Sequence, residues 1–148
     1  MSALLFLLIM KLTEHFTLTE LVRSETAMNR HIDNTPTPEV IENLRALCRN
    51  VLEPARVAFG SQIYITSGYR CQSLNKAVGG KPTSQHLRGE AADLQVRGVE
   101  NLRRLYNLIK SRGVFDQLLY ESNGSTKWIH VSYKSSGNRR QAIDSYNV

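Results

Sequence analysis

The tightest constraint on this chain is the stretch Thr83-Ser84-Gln85-His86-Leu87-Arg88-Gly89-Glu90-Ala91-Ala92-Asp93-Leu94, which sets a histidine seven residues before an aspartate. Asp93 opens onto the apolar-ended run Leu94-Gln95-Val96 and reads as a strand residue, with His86 on the loop before it. Gly89 permits a sharp return of the backbone, and Ala91 and Ala92 leave room for close approach. On a strand, Ala91, Asp93 and Gln95 share one face, which turns the carboxylate away from Ala92, Leu94 and Val96. The run Trp128-Ile129-His130-Val131-Ser132 repeats the pattern, with Ile129 and Val131 toward a core and Trp128, His130 and Ser132 toward a cleft. Two imidazoles and one carboxylate with a fourth position open are a zinc set used for hydrolysis. His86, Asp93 and His130 are therefore the candidate metal ligands. A purely structural zinc site would need a fourth protein ligand, and the sequence offers none of matching placement.

With 148 residues the chain is sized for a single domain with a real core. Its net charge of +6 favours an anionic partner. No basic run is interleaved with stacking aromatics, so nucleic acid is not the expected partner, whereas cell-wall polymers and acidic peptides fit the sign. Cys48 falls on the apolar face of an expected helix and Cys71 in a turn-like segment; neither has the spacing of a zinc ligand, and sequence does not pair them. His15 and His31 lack metal spacing and read as surface or capping residues. Residues 1–10 are apolar but only about half as long as a bilayer span requires. They lack a basic leader and a clear cleavage site, so no membrane span and no clear signal peptide are expected.

In chain order, Phe16 to Val22 reads as a short helix entered through a threonine cap, and Ser24 to Arg30 as a further helical turn. Thr37-Pro38-Glu39 starts the strongest helix, with Val40, Ile41, Leu44, Leu47, Cys48, Val51 and Leu52 on one stripe. Pro54 is expected to kink or end it, and Gly60 to close the segment. Gln62 to Thr66 alternates as a strand leading into Ser67-Gly68-Tyr69-Arg70, where the planar fork of Arg70 suits a bidentate grip on a carboxylate. Ser73 to Val78 forms one or two helical turns before Gly79-Gly80. Val99, Leu102, Leu105, Tyr106 and Ile109 mark a second amphipathic helix stopped by Gly113. Phe115 to Glu121 is another strand, and the turn signal Ser122-Asn123-Gly124-Ser125 joins it in a hairpin to the strand carrying His130. The polar segment after Tyr133 reads as surface or disorder. The expected fold is α+β, a small mainly antiparallel sheet with helices packed on one face.

Hydrolysis needs a base beside the metal. The hairpin nominates Glu121, a strand-end carboxylate beside the strand of His130, ahead of Asp116 and Glu90.

Several of these segments together resemble the M15 zinc peptidases: Ser67-Gly68-Tyr69-Arg70, Asn75-Lys76-Ala77-Val78-Gly79-Gly80, Ser84 through Asp93, and Trp128 through Ser132. The resemblance runs from about Phe16 to Tyr133. That family contains D-alanyl-D-alanine carboxypeptidases and L-alanyl-D-glutamate endopeptidases, bacteriophage lysins among them. The resemblance implies a hedgehog/DD-peptidase-like fold, with an apolar N-terminal extension over 1–15, a zinc peptidase domain over 16–134 and a polar C-terminal tail over 135–148. It implies Zn2+ held by His86, Asp93 and His130, Arg70 on the substrate carboxylate, and Ser84 lining the site, with Tyr69 and Trp128 as expected walls of the cleft.

Phe115 to Ser122 followed by Ile129-His130 is also similar to the signalling domain of hedgehog proteins, where a glutamate after paired tyrosines occupies the base position. Many M15 members instead place the acid three residues before the last ligand, where this chain has Lys127. Glu121 is thus the expected catalytic residue. The expected activity is zinc-dependent cleavage of a peptide bond at a D-amino-acid position of a peptidoglycan stem peptide, of D-Ala-D-Ala carboxypeptidase type, by a monomer acting at the cell wall or periplasm. The alternatives are an L-Ala-D-Glu type endopeptidase, or a zinc-containing binding module without chemistry.

Overall fold

The computed structural model describes residues 9–145. Most of the apolar N-terminal stretch, residues 1–8, lies outside them. The chain enters through a tight return in which Leu18 N–H donates to the Met10 carbonyl and Lys11 bridges Thr17. Helix α1 (Leu18–Val22) follows, and a reciprocal capping box fixes its start: Thr17 Oγ accepts from Glu20 N–H while Glu20 accepts from Thr17 N–H. Ser24 caps α2 (Glu25–Asn29) and Thr37 caps α3 (Pro38–Leu47), whose proline sits where its missing N–H costs nothing.

Pro54 does not end the helix. A π-helical turn over Cys48–Leu52 carries the chain from α3 directly into α4 (Glu53–Phe59). A proline at 54 has no N–H for the Asn50 carbonyl four residues back. Arg112, from a later helix, donates to that carbonyl at 2.6 Å. The widened turn and the borrowed donor together keep the apolar stripe continuous, so Leu44, Leu47, Cys48 and Leu52 are all fully buried. Gly60, at φ +82°, then closes the segment as expected.

After β1 (Tyr64–Ser67) come α5 (Gln72–Ala77), a 3-10 turn (Gln85–Arg88), β2 (Ala91–Gln95), α6 (Val99–Arg112), β3 (Gln117–Ser122), β4 (Lys127–Ser132) and β5 (Gln141–Asp144). They build one five-stranded sheet in the order β1-β2-β4-β3-β5. All neighbours are antiparallel except β3 and β5. This is the α+β, mainly antiparallel architecture expected from the sequence. Ala92, Leu94, Leu118, Tyr120, Ile129 and Val131 point into a core shared with Leu102, Leu105, Tyr106 and Ile109 of α6 and with the stripe of α3. Period-2 alternation then puts Asp93, His130, Leu119 and Glu121 on the opposite face. Cys48 and Cys71 are both free thiols.

The polar segment after Tyr133 is more ordered than its composition suggests, because β5 extends the sheet. Asp116, with no exposed surface, holds this strap in place. Its carboxylate accepts from the Arg139 backbone N–H at 2.8 Å and from Arg139 Nε and Nη2 at 3.1 and 2.7 Å. Its carbonyl accepts from Gln141 N–H. The Arg139 hydrogen bond holds the Asp116 carboxyl at about 2 against the opposing pull of burial. A carboxylate depressed in the folded state stabilises the fold above its unfolded pKa of about 4 and loses that contribution as pH falls toward its folded value. Acid titration of urea stability is thus expected to show a loss between pH of about 4 and about 2 that is missing in Asp116→Asn. Its size is on the order of 1 kcal/mol, discounted because the arginine half of the pair reaches solvent.

Candidate metal centre

The non-core face of the sheet forms the floor of a cleft of about 700 Å³. Strand pairing brings two of the candidate ligands together, since Asp93 on β2 lies directly opposite His130 on β4. His86 arrives from the 3-10 turn. Ser84 caps that turn, its Oγ accepting from His86 N–H at 3.2 Å, and Gly89 at φ +71° ends it and returns the chain to β2. Ligand atoms from His86, Asp93 and His130 all lie within 4.8 Å of one another. Asp93 Oδ1 is 3.3 Å from His86 Nε2 and 3.0 Å from His130 Nδ1.

The tautomer of His86 is set from behind. Its Nδ1 lies 2.7 Å from the Gly68 carbonyl, an acceptor only, so Nδ1 carries the proton and Nε2 presents a lone pair to the cleft. His86 is only 3% exposed, which leaves its ring little freedom to turn. Burial raises the pKa of the Asp93 carboxyl, but the His130 and His86 rings beside it outweigh that and hold Asp93 well below the usual carboxylate range. The centre is therefore an anionic oxygen flanked by two imidazole nitrogens, a donor set that suits zinc. Among the described residues no fourth His, Cys, Asp or Glu joins the group.

Arg70 stands at the edge of this centre, with its Nη2 3.5 Å from Asp93 Oδ2. Its Nε donates to Ser67 Oγ at 3.0 Å and its Nη1 to Asn75 Oδ1 at 3.3 Å. Burial pulls its pKa down and Asp93 opposes that pull. A guanidinium has five N–H groups, so one on each terminal nitrogen is left for a ligand.

Trp128, Ser84 and Glu121 line the same cleft. Glu121 lies opposite Trp128 on the adjoining strand, one diagonal step from His130. No described residue engages its carboxylate. The rival acids are committed elsewhere: Asp116 to Arg139, and Glu90 to Arg88 at 2.7 Å. Lys127 is exposed at the start of β4.

Tyr69 is separated from the others. It is 8% exposed, belongs to the core and does not line the cleft. The strap supplies cleft residues that its composition did not advertise, Lys134 and Arg139. Asn75 also reaches the site from α5, through Arg70; its place in the motif Asn75 to Gly80 was its only signal.

Comparison with known proteins gives one family. A family model described as Peptidase M15 matches residues 14–132. No curated protein matches the chain.

Proposed function

The chain belongs to the M15 peptidase family and is a peptidase, and on that premise we propose that it is a zinc-dependent hydrolase cleaving a peptide bond at a D-amino-acid position of a peptidoglycan stem peptide. The observation that carries this reading is the convergence of His86, Asp93 and His130 within 4.8 Å on the floor of an open cleft. Zinc bound there would lower the pKa of water toward neutrality and polarise a carbonyl.

The remaining work falls to the chain's own side chains. Glu121 takes the proton of the attacking water and delivers it to the leaving amine, a task that needs a carboxylate free of other partners. Arg70 offers its two unspent N–H groups to a substrate carboxylate, the contact a carboxypeptidase needs beside its scissile bond. Trp128 walls the cleft. Five cationic and three acidic side chains line it, so it carries positive charge even before a cation is bound, and an anionic peptide is the favoured occupant. No helix among the described residues is long and apolar enough to cross a membrane. A purely structural zinc is disfavoured because, among the described residues, no fourth His, Cys, Asp or Glu joins the group.

Mass analysis of purified muropeptides incubated with the zinc-loaded protein tests the reading. Loss of the terminal D-alanine is expected, abolished by a chelator and restored by zinc. Cleavage between L-alanine and D-glutamate would reassign the enzyme as an endopeptidase. Intact muropeptides with stoichiometric zinc would leave a binding module.

A further inference from the structure

We propose that Asn75 is a positioning residue: it holds the Arg70 guanidinium so that the unspent N–H groups face the substrate carboxylate, and position 80 is glycine so that this hold can form. The proposal rests on the assignment of Arg70 to the substrate carboxylate. Asn75 is 3% exposed, so both ends of its amide need partners. Its Nδ2 donates to the Lys81 carbonyl at 2.9 Å. A carbonyl can only accept, so the amide nitrogen must face Lys81 and the oxygen must face Arg70. That oxygen takes the Nη1 hydrogen bond at 3.3 Å.

Arg70 is thus held at all three nitrogens, by hydrogen bonds from Nε to Ser67 and from Nη1 to Asn75 and by an ion pair between Nη2 and Asp93. Three points fix both the plane of the guanidinium and its rotation. Without the Asn75 oxygen, the nearest fixed negative charge is Asp93, and the fork is free to swing toward it and away from the ligand.

Gly80 makes the geometry available. Its N–H donates to the Asn75 carbonyl at 2.8 Å. A Cβ at position 80 would lie 2.0 Å from Asn75 Oδ1 and 3.0 Å from Arg70 Nη1. The amide cannot back away without leaving Lys81. An alanine at 80 therefore disturbs the Asn75–Arg70 contact while keeping both side chains.

The test is a double-mutant cycle read on a peptide ending in free D-Ala-D-Ala and on the same peptide with a C-terminal amide. Asn75→Ala is expected to raise KM for the free acid about tenfold, the worth of one hydrogen bond to a charged group, with kcat little changed. The amide should be unaffected, and in an Arg70→Ala background Asn75→Ala should add nothing. Gly80→Ala should reproduce the KM rise. Equal KM rises for acid and amide, or an undiminished effect without Arg70, would reduce Asn75 to a packing role and overturn the proposal. An Arg70→Ala variant with unchanged KM for the acid would overturn the assignment of Arg70 itself, and the proposal with it. Should Asn75→Ala fail to fold, the Arg70 Nε–H signal in 15N NMR of zinc-loaded Gly80→Ala decides. Faster exchange with solvent than in the wild type supports the positioning role, and unchanged exchange refutes it.

Discussion

Glu121→Gln is expected to lower kcat by about 10²- to 10⁴-fold, the usual worth of a positioned general base, while zinc content and thermal stability stay at the wild-type level. The substitution keeps shape and removes only proton affinity. The separation of effects follows from where Glu121 stands: it shares the cleft face with His130 but is not one of the three clustered ligands. Its side chain is half-buried and holds no described partner, so the fold does not depend on its charge. Asp116 offers no substitute base, because giving up its carboxylate would release the Arg139 grip and the strap with it. Glu90 does not line the cleft and is paired with Arg88, which does. Lys127, in the position where many relatives carry the acid, lies in the exposed start of β4 and brings the wrong charge. Zinc analysis and steady-state rates on the same preparation check the result. A variant with unchanged turnover would return the proton transfer to another group.

The parts of the site that follow strict alternation were legible in the sequence. Ala91 to Gln95 and Trp128 to Ser132 each place their apolar residues on one face, and antiparallel pairing converts that pattern into Asp93 opposite His130. Tyr69 was not legible for a definable reason. The register of β1 against β2 shifts between Ile65 and Ser67, so counting by twos along Tyr64 to Arg70 does not tell which way a side chain points. Arg70 comes out at the cleft and Tyr69 in the core. The strap escaped for another reason: β5 has no apolar alternation strong enough to announce a strand, and its pairing with β3 is parallel and non-local. Besides the ladder itself, it is held by side-chain contacts distant in sequence: the buried Asp116 carboxylate meeting an arginine 23 residues away, and Arg103 of α6 meeting Asp144. The π-helical turn is similar, since the helix passes Pro54 with the help of a donor from the distant Arg112.

The second large effect is expected from a residue with no side chain. In Gly68→Ala, the added Cβ would sit 2.1 Å from the Leu21 carbonyl oxygen and 2.8 Å from its carbon. Backbone cannot swing aside as a flexible side chain can, and this carbonyl is already held by the Tyr69 N–H at 2.7 Å. Relief requires α1 and the turn after β1 to part, and both are packed into the core through Leu21 and Tyr69. A loss of about 3 kcal/mol in urea unfolding is expected, the upper end for overpacking a tight contact. The same movement reaches the proposed zinc. The Gly68 carbonyl is what fixes the proton on His86 Nδ1, so shifting it loosens the ring and its tautomer. Disturbing such a partner behind a metal ligand typically weakens binding by about 10- to 100-fold. Competition against a chromophoric chelator at a temperature where the variant is still folded measures that term separately from unfolding. Weakened zinc binding in the folded variant would show that Gly68 serves the centre directly, through one carbonyl, as well as through the stability of the domain.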